Sequence, residues 1–176
     1  PQDIFTNTNQ TRRPAQGHEF DMVLWVEGCA GILIAPNIGL SASHCSHLFR
    51  VASRHALKGN SPADGTIRRT IEIGRVSTYD YWVFEIDWVN GRTPPGVSLA
   101  PLIQTQQAEL KIGDHSVAEK IFTLGFPADL GHDDLIYSWG YGKVFDQKSL
   151  INNISLINGN SGGGILRERD QMIVSV

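Results

Sequence analysis

A serine, a histidine and a carboxylate in three separate segments are residue types that could together perform nucleophilic catalysis. Ser161 stands in NGNSGGG, residues 158–164, where glycines on both sides allow a positive φ and a close approach of the backbone to a substrate carbonyl. The N–H groups of Gly159 and Ser161 could then form an oxyanion hole. A flexible glycine-serine turn is the alternative for this segment taken alone.

His44 follows GILIAPNIGLSAS, in which a strand, a turn at Pro36 and Asn37 and a second strand are predicted. Histidine exchanges protons readily near neutral pH, so His44 is a candidate general base, although a single histidine at a strand end more often has an ordinary polar role. The two cysteines of the chain are Cys29 and Cys45. A disulfide between them would hold the imidazole on a stiff support, whereas two reduced, buried thiols are the alternative.

Asp80 is the preferred carboxylate because it comes directly before the apolar run YWVFEI. A carboxylate in that place can accept a hydrogen bond from the Nδ1–H group of a histidine and fix its tautomer. Glu85 and Asp87 compete on position alone. Since side chains alternate along a strand, Glu85 is expected to point elsewhere and Asp87 to lie at the far end.

The elements that must position these residues are predicted to be strands. Short apolar runs punctuated by Gly, Pro, Asn and Asp occupy residues 22–26, 31–35, 71–74, 81–86, 120–126 and 172–176. No 12-residue window shows convincing helical periodicity, so the pattern favours an all-β fold of barrels or a sandwich. Residues 1–17 are expected to form an arm on the surface, and NGRTPPGVSLAP at 90–101 is a candidate linker between two β units with a cleft between them.

The composition of the chain limits the classes of molecule that it is expected to bind. The chain has 176 residues with a net charge of −3 and charges of both signs interspersed, so it offers no broad electrostatic footprint for nucleic acid or an anionic membrane surface. No run approaches the roughly 18 apolar residues of a membrane span. Nothing in the sequence calls for a metal or another cofactor, and a peptide-like partner is expected.

Taken together, these residues resemble the chymotrypsin-like serine proteases. The resemblance rests on the order His44, Asp80, Ser161, on C-x-G-x-L-I followed by S-A-S-H-C, and on G-N-S-G-G. It implies two Greek-key β-barrels, the first in residues 18–95 and the second, with the linker, in 96–176. It also implies a secreted or periplasmic serine endopeptidase that acts on proteins or peptides.

Within that family, IFTNTNQTRR, LGFP at 124–127 and YSWGYGKV resemble the bacterial glutamyl endopeptidases. Asn160 stands where the pancreatic enzymes have Asp, so an ion pair with a new N-terminal ammonium cannot be the activation switch here. The resemblance places Ser155 and Leu156 in the primary specificity pocket and Ser175 on a wall of the substrate cleft. Leu156 stands where the glutamyl enzymes have Thr, and an apolar residue cannot pair with a carboxylate, so a pocket for apolar or aromatic side chains is expected.

Three further interpretations remain open. Relatives continue beyond MIVSV at 172–176, so the second barrel is expected to be truncated, with a missing C-terminal segment or a second chain completing it. A pseudoprotease that uses the fold as a binding module is the main alternative function. A metal site at His44, Cys45 and His47 is disfavoured, because the segment lacks a second ligand pair at a suitable spacing.

Overall fold

The computed structural model describes residues 11–17, 19–53, 64–75, 79–89, 91, 119–130, 134–144, 150–152, 154, 159–169, 171 and 173–175. Within them the chain forms strands and two short 3₁₀ helices, Ser43–Cys45 and Ala128–Leu130. The strands are β1 Arg12–Pro14, β2 Val23–Val26, β3 Cys29–Ala35, β4 Ile38–Ser41, β5 Arg50–Ser53, β6 Asp64–Ile73, β7 Trp82–Trp88, β8 Glu119–Gly125, β9 Ile136–Val144, β10 Leu150–Asn152, β11 Ile165–Arg167 and β12 Ile173–Ser175. None of the helices in these ranges is long and apolar enough to cross a membrane. The predicted all-β class is confirmed.

Strands β2 to β7 close into a barrel with the order β2-β3-β4-β7-β6-β5, and β5 returns to β2. The sequence of β7 shows how a strand contributes to this barrel. Trp82, Phe84, Ile86 and Trp88 are buried and alternate with more exposed residues, so one face of the strand fills the barrel and the other faces outward. The first predicted barrel is therefore present, with β7 ending at Trp88.

The second unit is a six-stranded sheet with the order β1-β9-β8-β11-β12, and β10 pairs with β9. In the part of the chain that is described it is a sheet, and its closure into a second barrel stays a prediction. Residues 12–14, from the end of the predicted arm, form its edge strand β1 against β9. The predicted linker at 90–101 lies outside the described residues except for Gly91.

The two units share a core through β2 and β3. Leu24 and Leu33 face the barrel interior, whereas Val23 and Ile32 belong to a cluster with apolar residues of β8 and β11. That second cluster includes Phe122, Leu124 and Leu166. Because β2 and β3 are buried on both faces, the run CAGILIA of β3 is continuously apolar instead of alternating. This packing sets the ends of the barrel strands beside the loop that follows residue 158.

Candidate active site

His44 lies in the 3₁₀ helix Ser43–Cys45, which begins two residues after β4 ends at Ser41. A disulfide joins Cys45 to Cys29, the first residue of β3, across a sequence separation of 16. The disulfide prediction is confirmed, and the short helix is tied to the barrel wall immediately beside the imidazole. Both sulfur atoms are consumed in this bond, so Cys45 lacks the thiolate that the metal-site interpretation requires.

Asp80 contacts His44 directly. Nδ1 of His44 lies 2.6 Å from Oδ2 of Asp80, and the backbone N–H of His44 donates to Oδ1 at 3.0 Å. The Ser43 hydroxyl donates to the same Oδ1 at 2.6 Å. An ionised carboxylate only accepts hydrogen bonds, so Nδ1 carries the ring proton and Nε2 is left as the basic nitrogen.

These donors also set the charge state of the carboxyl group. Partial burial by itself would raise the pKa of Asp80, but the hydrogen bonds from Ser43 and His44 outweigh it and hold the pKa below its ordinary value of 3.8. Asp80 therefore remains ionised at neutral pH, as the orienting group of an imidazole must be. Ser43 was not among the residues predicted for the site. Its position directly before His44 in S-A-S-H-C was the signal that could have indicated it.

The two competing carboxylates lie away from His44. Glu85 pairs with Arg68 at 3.3 Å and with Arg69 at 2.8 Å on the outer face of the barrel. Asp87 is exposed near the end of β7. The alternation of β7 thus separates both from His44, as the pattern of the strand predicted.

The Ser161 segment is held between the two units. The N–H of Ala30 in β3 donates to the carbonyl of Ser161 at 2.7 Å. Gly162 has a φ of +83°, and a Cβ placed there would collide with the Ser41 hydroxyl and the Ala30 carbonyl. The glycine after the serine is therefore needed for both its φ and its lack of a side chain, and it brings the loop against the residues that precede His44.

Gly159 has a φ of +104° and is equally confined, because a Cβ on it would collide with the carbonyl of Phe126. Its own carbonyl accepts a hydrogen bond from the N–H of Phe126 at 3.1 Å. The carbonyls of Gly159 and Ser161 thus both accept hydrogen bonds. The N–H groups of the same two residues donate to no group among the described residues. Within that part of the chain, these two N–H groups are available for a ligand oxygen.

The structure does not join all three predicted catalytic residues by hydrogen bonds. Across the described ranges, His44 bonds to Asp80, and no hydrogen bond links the imidazole to the Ser161 hydroxyl. The imidazole is accessible, with 45% of its side-chain surface exposed. Contacts of this kind are often loose without substrate and tighten when it binds.

The predicted pocket residues are only partly placed. Ser155 and Leu156 lie outside the described residues. Ser175 lies on β12 with its backbone opposite Ile165 of β11, the strand that follows the Ser161 segment. Its strand therefore lies one strand away from the serine loop.

Comparison with known proteins supports the fold. No protein-family model matches the sequence, and no curated protein matches it. Among solved structures, a Glu endopeptidase in complex with MPD aligns with a TM-score of 0.67 at 18% identity, covering 92% of this chain and 81% of its own. Human heparin binding protein aligns with a TM-score of 0.65 at 14% identity and the same coverages of 92% and 81%. With its closed barrel, its second sheet and these alignments, the chain has the chymotrypsin-like fold.

Proposed function

We propose that the chain is a serine endopeptidase in which Ser161 is the nucleophile, His44 the general base and Asp80 the group that orients the histidine. The contact of 2.6 Å between Nδ1 of His44 and Oδ2 of Asp80 is the observation that carries the proposal. It leaves Nε2 as the proton acceptor on an accessible imidazole. The Ser161 loop, docked on Ala30 and Ser41, lies beside the same end of the barrel.

The reaction follows from these positions. Nε2 of His44 takes the hydroxyl proton as Oγ of Ser161 bonds to the peptide carbonyl carbon, and the carbonyl π electrons move to its oxygen. The N–H groups of Gly159 and Ser161 stabilise that oxyanion. Collapse of the intermediate breaks the C–N bond, and the leaving amine takes the proton from Nε2. Water then repeats the sequence on the acyl-enzyme with His44 again as base.

The substrate class is proteins or peptides. We expect a preference for apolar or aromatic side chains before the cleaved bond, because Leu156 supplies no polar partner for a carboxylate. The likeness to a Glu endopeptidase, at 18% identity, concerns the fold alone. It is therefore no argument for cleavage after Glu. The disulfide favours an oxidising compartment, and hence a secreted or periplasmic protein.

A peptide library digested by the purified chain, with products identified by mass spectrometry, tests the proposal. We expect cleavage by the wild type and a loss of about 10⁴-fold or more in turnover for Ser161→Ala and for His44→Ala, with the fold retained. Ser46→Ala, at an exposed position just after the 3₁₀ helix, is the matched control and should cleave normally. Undiminished cleavage by Ser161→Ala would contradict the proposal.

A binding module is the second candidate, because a protein named for heparin binding shares the fold. The absence of a hydrogen bond between His44 and Ser161 within the described ranges is also compatible with it. The same library separates the two functions. A folded wild type that retains peptides without cleaving any of them supports the binding module.

A further inference from the structure

Arg12 in β1 makes a partly buried ion pair with Asp129, 117 positions away along the chain. Its two terminal nitrogens donate to the two carboxylate oxygens, at 3.0 Å and 2.8 Å. The Arg12 side chain is 3% exposed, whereas that of Asp129 is 39% exposed. The hydrogen bond from Arg12 holds the pKa of Asp129 below its ordinary value, so the pair is charged at neutral pH. Two parallel hydrogen bonds fix both orientation and distance.

The guanidinium is placed by the backbone of the second sheet. Arg12 lies opposite Ser138 of β9. On either side, the N–H of Trp139 donates to the carbonyl of Thr11 at 3.0 Å, and the N–H of Ala15 donates to the carbonyl of Leu135 at 2.8 Å. The arm is thus attached along its edge, and Arg12 reaches from it to the 3₁₀ helix Ala128–Leu130.

Asp129 belongs to the turn that supports the proposed oxyanion hole. The N–H of Leu130 donates to the carbonyl of Pro127 at 3.1 Å, which closes the turn after β8. Phe126, at its start, donates to the carbonyl of Gly159 at 3.1 Å. Its carbonyl also fills the space that a side chain on Gly159 would need. A displacement of this turn that moves Phe126 is therefore transmitted to Gly159 through these contacts.

Asn160 does not provide an equivalent attachment. Its carboxamide is buried beside Gly125, and neither of its polar atoms has a hydrogen-bond partner in the described part of the chain. The loop is instead held through backbone contacts, of which Phe126 to Gly159 and Ala30 to Ser161 are two. The turn at 126–130 is thus a support of this loop from the side of the second sheet.

We propose that Arg12 is a positioning residue for the oxyanion hole, acting through Asp129 on the turn 126–130 and so on Gly159. Its effect on catalysis rests on the proposed function, whereas its effect on the loop does not. The ion pair makes correct placement of the Gly159 N–H depend on docking of the N-terminal strand. The Arg12 side chain performs this coupling.

Amide hydrogen exchange by NMR and steady-state kinetics test the proposal together in Arg12→Gln and Asp129→Asn. We expect the amides of Phe126 and Gly163 to exchange about tenfold faster in both variants, with the amide of Val83 in the first barrel unchanged. We expect kcat to fall roughly tenfold with little change in KM, because the oxyanion donor acts in the transition state. Arg12→Lys, which keeps the charge and loses the planar fork, should fall between.

Arg13→Gln is the matched control. Arg13 is the neighbouring residue of β1 and pairs with Glu19 at 2.9 Å, on the more exposed side of the strand. It should leave both readouts unchanged. Unchanged exchange at Phe126 and Gly163 in the two test variants, or equal effects of Arg13→Gln, would overturn the proposal. If Arg12→Gln fails to fold, Asp129→Asn, at a partly exposed residue, decides.

The two measurements also separate this proposal from the proposed function. If the wild type hydrolyses no peptide but the two test variants exchange their amides faster, the positioning role is supported and the endopeptidase function is rejected. If the wild type hydrolyses peptides and the two test variants show unchanged amide exchange and unchanged kcat, the endopeptidase function is supported and the positioning role is rejected.

Discussion

Nδ1 of His44 lies 2.6 Å from Oδ2 of Asp80, although 36 positions separate the two residues. The barrel brings them together because β4 and β7 are antiparallel neighbours, with Ser41 at the end of β4 opposite Trp82 at the start of β7. His44 lies three residues after Ser41 and Asp80 two residues before Trp82. Both residues therefore leave the barrel at the same end, and strand pairing determines their contact.

Asp80→Asn tests what this contact does. The new carboxamide would offer its NH₂ group to Nδ1, which favours the tautomer with the proton on Nε2 and removes the base. We expect kcat to fall by about 10⁴-fold while the fold is retained. Peptide hydrolysis at pH 8, with circular dichroism for the fold, measures this. Activity within tenfold of the wild type would show that Asp80 has no orienting role.

Ser43→Ala tests the environment of the carboxylate through the pH dependence of stability. Because the folded-state pKa of Asp80 is below 3.8, its ionisation stabilises the folded chain above that pH, and the stabilisation is lost as the pH falls through the lowered pKa. Removing one donor moves the pKa back up. We expect Ser43→Ala to be destabilised by about 1 kcal/mol at pH 7, and by less below pH 3.8.

Urea unfolding of the wild type and Ser43→Ala at pH 7 and pH 3 measures this difference. Ser46→Ala, at an exposed position next to the same helix, serves as the control and should unfold like the wild type. A difference in stability that is the same at both pH values would mean that the Ser43 hydroxyl acts independently of the charge on Asp80.

Gly162→Ala tests the docking of the serine loop on the first barrel. The new methyl group would collide with the Ser41 hydroxyl and the Ala30 carbonyl, in addition to straining a φ of +83°. Gly28→Ala is the matched control, since Gly28 has a φ of +97° with nothing within 4 Å of an added Cβ. We expect the control to lose about 1 kcal/mol from backbone strain alone, and Gly162→Ala to lose more and to become inactive. Equal stability and activity of the two variants would show that the loop is not held there.

Loss of the disulfide should weaken the support of His44. For a loop of 16 residues, we expect the double variant Cys29→Ala with Cys45→Ala to be less stable by about 3 kcal/mol. Guanidinium chloride unfolding measures the loss, and reduction of the wild type should reproduce it. A double variant as stable as the oxidised wild type would mean that the barrel alone fixes the 3₁₀ helix.

Much of the first barrel could be predicted from the sequence because its strands carry local patterns. The apolar run at 81–86 identified most of β7, and the alternation expected along it separated Asp80 from Glu85 and Asp87. The apolar run at 31–35 identified most of β3. β6 was recognised only at its end, residues 71–74, since its first half, GTIRR, carries few apolar residues. β9 was not predicted from periodicity because Gly140 and Gly142 interrupt its pattern.

Other long-range relationships could not be predicted from the sequence. Nothing local to Arg12 shows that β1 pairs with β9 or that its side chain reaches Asp129. The collision that excludes a side chain at Gly162 depends on Ala30 and Ser41, which belong to another part of the chain. Glycines around Ser161 were therefore recognised as a feature, while the surfaces that require them appear only in three dimensions.

Labelling with a peptidyl phosphonate, followed by mass spectrometry of the digested protein, tests the central claim most directly. Only a serine activated by a neighbouring base and held beside oxyanion donors reacts quickly with such a probe. We predict one adduct per chain, on Ser161, formed by the wild type and lost in His44→Ala. A folded wild type that forms no adduct, or forms it on another residue, would contradict the account.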